Sequence, residues 1–204
     1  MGIWRDHILP RLVDKGLSGD DHEAQRAEIT RGLTGRVLEI GFGSGRNLAH
    51  LPPEVERVEA VEPAPAGRSI AAERIAAASA DVHHVGLSAE GIELADGAVD
   101  CALSTWTLCS VPEPARALSE IRRLLVPGGR FHFLDHGLAP DEDVRRWQRR
   151  LEPLQSLLFG GCKVQLEIDR LIREAGFEIE RLDTFYMPGP RFSGFMYRGV
   201  ARVD

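Results

Sequence analysis

The 204-residue sequence predicts an α/β fold, with a mostly parallel sheet covered by helices on both faces. Three observations carry that expectation. Short apolar runs of strand character alternate with helix-compatible stretches along most of the chain. One of those runs, Ala98 to Thr105, is almost uncharged, as a parallel strand buried on both faces should be. A third, Val37-Leu38-Glu39-Ile40, passes directly into Gly41-Phe42-Gly43-Ser44-Gly45, the mark of a strand turning sharply into a helix.

The elements follow in order. Residues 5–29 are expected to be helical, with Ile8, Leu9, Leu12 and Val13 on one apolar face and a break near Gly16 to Gly19. After the glycine loop, Ser44 to His50 should form a crossover helix that Pro52-Pro53 ends. Val55 to Val61 reads as a second strand finishing at Glu62, Ala64 to Ala78 as an Ala-rich helix, and Val82 to Leu87 as a third strand. Ala98 to Thr105 is the fourth, followed by a helix over Pro114 to Leu125. Pro127-Gly128-Gly129 then turns into a fifth strand, Arg130 to His136. Helices near Asp141–Phe159 and Val164–Ala175 precede closing strands near Phe177–Thr184 and Phe195–Val203, with Gly176 placed as a helix C-terminal glycine. No repeat, low-complexity linker or second domain is evident, so residues 1–204 read as one domain.

The glycine loop points to a nucleotide-type ligand. Glycine allows the backbone to turn and lets a ligand approach bare peptide, and free N–H groups at a helix start favour an anionic group. The spacing here is G-x-G-x-G, one residue shorter than the dinucleotide fingerprint G-x-G-x-x-G, and position 46 is Arg. Glu39, just before the first glycine, would repel a pyrophosphate and suits a cationic ligand better. Composition narrows the field further. Hydrophobic and charged fractions of 43% and 27% are those of an ordinary globular protein, and the net charge of −6 argues against nonspecific nucleic-acid binding. Cys101, Cys109 and Cys162 lack C-x-x-C spacing and read as reduced, packed thiols, not as a disulfide framework or a zinc site. The opening Met1-Gly2-Ile3-Trp4-Arg5-Asp6 shows neither a signal region nor a myristoylation pattern, and no run reaches membrane-spanning length. A cytoplasmic protein without an integral membrane segment is expected.

Strand, acid and G-x-G-x-G together resemble the class I S-adenosyl-L-methionine (SAM) methyltransferases. Gly86-Leu87-Ser88-Ala89-Glu90, Asp96-Gly97-Ala98-Val99-Asp100 and Leu125-Val126-Pro127-Gly128-Gly129-Arg130 resemble further motifs of that family in order, so the likeness covers roughly residues 35–136. A narrower likeness, to the microsomal alkyl-thiol methyltransferases and their bacterial relatives, runs through Thr107-Leu108-Cys109-Ser110-Val111, Phe133-Leu134-Asp135-His136, Trp147-Gln148, Leu151-Glu152-Pro153 and Phe159-Gly160-Gly161-Cys162. The microsomal members carry an N-terminal hydrophobic anchor that this sequence does not show. The resemblance implies a Rossmann-like three-layer α/β/α sandwich whose seven-stranded sheet has an antiparallel last strand. It also implies SAM as cofactor and S-adenosyl-L-homocysteine (SAH) as product. The cofactor residues would be Glu39, Gly41, Gly43, Gly45, Asn47, Glu62, Pro63, Ser88, Ala89 and Thr105, with Glu62 on the ribose hydroxyls. Residues 1–30 would form a helical cap, 35–136 the SAM-binding core, and 137–204 the substrate side.

Methyl transfer from a sulfonium is an in-line displacement, so positioning carries much of the catalysis, roughly 7–11 kcal/mol in well-oriented systems. A base is needed only for a nucleophile still protonated at working pH, and a thiol with pKa around 8.5 is partly ionised already. The lack of an obvious catalytic motif therefore tilts toward sulfur. His136, at the carboxyl end of strand five, is the candidate for acid/base assistance, or else simply ends the strand against substrate; Asp135 should face the other way and His132 should be packed. His83-His84 faces opposite sides of its strand, so no metal is expected there. Trp106, Trp147, Phe159, Tyr186 and Phe192 could line an apolar acceptor pocket or serve as core. The reading is a SAM-dependent methyltransferase of a small, fairly hydrophobic acceptor, thiol favoured, without metal or nucleic-acid partner, as monomer or homodimer. Its alternatives are N-, O- or C-methylation of a lipid, quinone or other metabolite, a NAD-dependent oxidoreductase, and a non-catalytic SAM-binding module.

Overall fold

A computed structural model describes residues 7–204. The Met1–Asp6 segment, and the first two residues of the helix expected over 5–29, lie outside the described residues. Helices α1 (Leu9–Gly16) and α2 (Asp20–Ile29) are separated at the expected break, and β1 (Gly35–Ile40) leads into the glycine loop. A short 3-10 turn, Arg46–His50, follows where a regular crossover helix was expected. The cause is length: only a few residues separate Gly45, left-handed at φ +73°, from Pro52-Pro53. Then come β2 (Val55–Val61), α3 (Pro65–Ala77), β3 (Asp81–Gly86), β4 (Val99–Thr105), α4 (Pro114–Leu124), β5 (Leu125–His136), α5 (Glu142–Leu158), α6 (Ile168–Glu174), β6 (Glu178–Tyr186), α7 (Arg191–Gly194) and β7 (Phe195–Arg202).

Seven strands form one sheet in the order β3-β2-β1-β4-β5-β7-β6, with β7 antiparallel to both neighbours and β1 to β5 mutually parallel. Alternation along β1 sorts the two core layers. Leu38 and Ile40 face the layer with Leu118, Ile121 and Leu124 of α4, whereas Val37 faces the layer with Ile29 and Leu33. Glu39 shares the Val37 face and so points toward α2. On α4 the buried Ala117, Leu118, Ile121 and Leu124 recur at helical spacing and account for its placement on the sheet.

α6 is shorter than expected, because Val164 to Glu167 stay irregular before the helix starts at Ile168. β5 starts earlier than expected, since Leu125 already pairs with Val99 and a register shift absorbs Pro127-Gly128-Gly129. The expected apolar face of α1 is not buried: Ile8, Leu12 and Val13 remain 42%, 53% and 38% exposed. Polar contacts hold that helix instead. Asp14 Oδ1 accepts from Ser44 Oγ at 2.5 Å, Arg46 Nε at 2.8 Å and Arg74 Nη1 at 3.0 Å, tying α1 across the glycine loop to α3. No helix among the described residues is long and apolar enough to cross a membrane.

Candidate active site

The strand order reverses between β1 and β4, and open α/β sheets bind ligands in the crevice beyond the carboxyl ends of such strands. β1 brings Glu39 there and β4 brings Thr105. Asn47, from the turn after the glycine loop, bridges them: its Nδ2 donates to Glu39 Oε1 at 2.8 Å and to Thr105 Oγ1 at 3.0 Å. Arg26 of α2 reaches in from above. Its Nη1 donates to Asn47 Oδ1 at 2.9 Å, and its guanidinium carbon stands 4.8 Å from the Trp106 ring centroid. All four polar residues are buried. Among the described residues, Glu39 Oε2 and Arg26 Nε are buried with no hydrogen-bond partner. Burial pushes the Glu39 carboxyl up to about 7 against the pull of Asn47 and Arg26, and burial lowers Arg26 to about 10. A buried acid and a buried base, each with an unused atom, suit a ligand carrying both charges.

The glycine loop forms the next wall. Gly41, Gly43 and Gly45 are all left-handed, at φ +65°, +58° and +73°. A Cβ on Gly41 would collide with the Thr107 side chain, whereas one on Gly43 would meet only the Gly41 carbonyl at 3.7 Å. Gly43 therefore presents bare backbone. Glu62, just past β2, is aimed over this loop by two backbone donors, Gly43 N to Oε2 and Ala64 N to Oε1, each at 2.7 Å. Each carboxylate oxygen keeps a free lone pair. Burial raises the Glu62 pKa, and those two bonds offset part of the rise. Ala89 is buried, while Pro63 and Ser88 are exposed.

Beyond Trp106 lies a cavity of about 150 Å³, lined by His22, Trp106, His136, Met187 and Met196 with parts of the Pro188–Gly194 segment. Trp106 holds a left-handed backbone at φ +50°, uncommon for a bulky residue, as the chain leaves β4. Burial, then Arg26, lowers the His22 pKa, leaving a neutral imidazole at neutral pH. Of the aromatics expected to line an acceptor pocket, only Trp106 borders this cavity. Trp147 and Phe159 are 53% and 57% exposed, because α5 turns Val144, Gln148 and Gln155 inward. Tyr186 donates instead to Asp141 Oδ2 at 2.5 Å and packs against Phe195, and Phe192 is half-buried outside the lining. A larger cleft of about 410 Å³, among Arg122, Arg123, Pro127 and Val203, lies far from the glycine loop, near the amino-terminal end of β5.

The strand-end residues behave as alternation requires. Asp135 turns away from His136: it accepts from Ser104 Oγ at 3.0 Å and the Cys109 N–H at 3.3 Å, and burial raises it to about 6. His132 is buried, its Nδ1 bonded to the Ile29 carbonyl at 2.8 Å. His136 stands between the cavity and two cysteines, Cys109 and Cys162, which the sequence placed 53 residues apart. His22 and Arg26 escaped sequence reasoning. The available signal was α2 itself: DDHEAQRAEI has no apolar stripe, so a helix packed there must turn polar groups inward, and positions 22 and 26 share a face.

Comparison with known proteins gives the family and the fold. A family model described as a methyltransferase domain matches residues 38–133. The chain is 32% identical over 164 residues to human thiol S-methyltransferase TMT1A, covering 74% of this chain and 64% of that protein, slightly under two thirds of its length. It is also 32% identical over 196 residues to human thiol S-methyltransferase TMT1B, covering 87% of this chain and 79% of that one. A Thermotoga maritima crystal structure, described as a SAM-dependent methyltransferase and possible histamine N-methyltransferase, superposes with a TM-score of 0.70 at 24% identity, covering 98% of this chain and all of that one.

Proposed function

From the premise that this chain belongs to the SAM-dependent methyltransferases, and so is an enzyme using SAM, we propose that it methylates small thiols. The observation that carries the thiol is the chemistry of the 150 Å³ cavity: two imidazoles, a tryptophan and two methionines, with no carboxylate in its lining among the described residues. Protonated amines would want an anionic wall, whereas a thiol near pKa 8.5 needs only an apolar seat and an imidazole to take its proton. Similarity to two thiol S-methyltransferases points the same way.

The residues present fit the cofactor. Its amino-acid end carries an ammonium and a carboxylate, and the cleft offers the unpartnered Glu39 Oε2 and Arg26 Nε. In this proposal Glu39 takes the ammonium, Arg26 the carboxylate, and Asn47 with Thr105 holds Glu39 in place. Gly41, Gly43 and Gly45 give close approach, Glu62 accepts the ribose hydroxyls, and Pro63, Ser88 and Ala89 border the base. SAM supplies an electrophilic methyl group on a cationic sulfur. Trp106 separates the polar cleft from the cavity, His136 or the neutral His22 receives the acceptor's proton, and Met187 and Met196 exclude water. The core is assigned to residues 35–136, the cap to α1 and α2 of the 1–30 segment, and the acceptor side to 137–204.

The test is turnover of SAM with a short alkyl thiol beside matched amines and phenols. Thiol methylation well above the others is expected. Activity on amines or phenols with none on thiols would sink the sulfur assignment.

A further inference from the structure

Cys109, His136 and Cys162 come from three elements: the 3-10 turn Leu108–Ser110 after β4, the last residue of β5, and the loop after α5. Their ligand atoms lie within 4.8 Å of one another. Cys109 Sγ and Cys162 Sγ are 3.5 Å apart, and His136 Nδ1 is 3.7 Å from the first and 3.6 Å from the second. A disulfide would bring the sulfurs to about 2.05 Å. Apolar packing alone gives no reason for a ring nitrogen to sit equidistant from both. Tetrahedral coordination does: with Zn–S about 2.3 Å and Zn–N about 2.05 Å, the ligands should stand about 3.8 Å (S to S) and 3.6 Å (S to N) apart.

The surroundings hold this arrangement. Lys163 N donates to the Cys109 carbonyl at 2.8 Å, joining the two cysteine segments directly. Gly161, at φ +105°, permits that approach, since a Cβ there would stand 3.2 Å from the Ser110 carbonyl. Asp135 Oδ1 fixes the Cys109 backbone, and Gln155 Nε2 points at Cys162 Sγ from 3.5 Å. Both cysteines are buried, so the sulfurs are shielded from bulk water. Outer-shell bonds of this kind orient the ligands of metal sites.

We propose that Cys109, His136 and Cys162 form a three-ligand site for a borderline-soft divalent cation of the zinc class, with the fourth position open to an exogenous thiol. Binding forms two M–S bonds and one M–N bond. The two thiol protons pass to solvent, and His136 keeps its remaining proton on Nε2. The two thiolates balance the cation's charge. His136 also borders the acceptor cavity, which puts the open position within reach of a small ligand. Coordination of an acceptor rests on the thiol reading above, with His22 taking the proton that His136, as a ligand, no longer can: the acceptor is then held as its thiolate, the nucleophilic form.

The experiment reloads chelator-treated, reduced protein with Zn(II) or Co(II) and measures bound metal per chain. About one ion per chain is expected, together with a Co(II)–thiolate absorption band and protection of Cys109 and Cys162 from alkylation. C109S and C162S should each weaken binding upwards of about 100-fold, more than loss of an outer-shell partner costs. C101S, a buried cysteine outside the cluster, should keep the ion. The metal count and the Co(II)–thiolate band need no variant, so misfolding cannot mask the answer. Uptake that ignores C109S and C162S, Co(II) bound without a thiolate band, or a Cys109–Cys162 disulfide that metal does not prevent would overturn the site. An added alkyl thiol should alter the Co(II) spectrum. An unaltered spectrum with the ion bound would overturn coordination of the acceptor only, and thiol methylation by protein that takes up no ion would overturn the site while leaving the thiol reading standing.

Discussion

Among the described residues one oxygen of Glu39 has no partner, and burial pushes the carboxyl up to about 7. The signs for folding and for ligand binding are opposite. Below its ordinary value of 4.5 the carboxyl is neutral in both folded and unfolded chains; between 4.5 and about 7 the unfolded chain ionises first, so stability falls as pH rises. An ammonium ligand needs the ionised form, so its affinity should rise across the same window. Calorimetric titration with SAH should show binding strengthening by up to about tenfold per pH unit below 7 and levelling above it. Glu39→Gln should bind weakly with a flat profile; a pH-independent wild type would reject the ammonium pairing. Gly41 answers a different question. Its left-handed backbone and the Thr107 side chain leave no space for a methyl group. Gly41→Ala should cost about 3 kcal/mol from left-handed strain plus overpacking, seen as roughly 6–12 °C in Tm by calorimetry.

Among the elements, α1 is unusual in how it is held. None of its residues is buried, yet three donors converge on Asp14. Burial raises that carboxyl, but Ser44, Arg46 and Arg74 together outweigh burial and hold it below its ordinary 3.8. The stabilisation is therefore complete above 3.8 and disappears as pH falls through the lower folded value. Asp14→Asn should release α1 at a cost of about 1 kcal/mol, discounted for partial exposure. Faster hydrogen exchange confined to residues 9–16 is the signature to look for, and unchanged protection would mean the helix is held by something else. α2 contributes differently. Arg26 and His22 point inward from a helix with no apolar stripe, and the same helix touches both the polar cleft at Asn47 and the cavity.

Across the whole molecule, legibility followed the range of the interactions. Strands β2 and β4 and helices α3 and α4 were readable to within a residue, and β1 to within two, because apolar period, proline and glycine act over one or two turns of chain. The glycine loop, Glu39, Asn47 and Glu62 also lie within one β-α-β unit, and the structure brings their side chains together at the loop; their cofactor roles are the proposal made above. The reversed last strand came through family resemblance and not through any local pattern in Phe195–Arg202. A NAD-dependent oxidoreductase, already disfavoured by the short glycine spacing and Glu39, falls away once the methyltransferase relatives are placed beside the fold.

By itself, then, the sequence determined the alternating α/β architecture, the glycine turn after β1 and the two carboxylates, Glu39 and Glu62, that stand beside it. Tertiary structure decided the rest. It put Arg26 opposite Glu39, turned Trp147 and Phe159 outward while Trp106 entered the cavity, and gathered Cys109, His136 and Cys162 from segments up to 53 residues apart. The physical reason is that side-chain convergence depends on sheet order, strand register and helix rotation, which are set by the joint packing of the whole core. Period and spacing, in contrast, are local properties of a chain that has not yet folded.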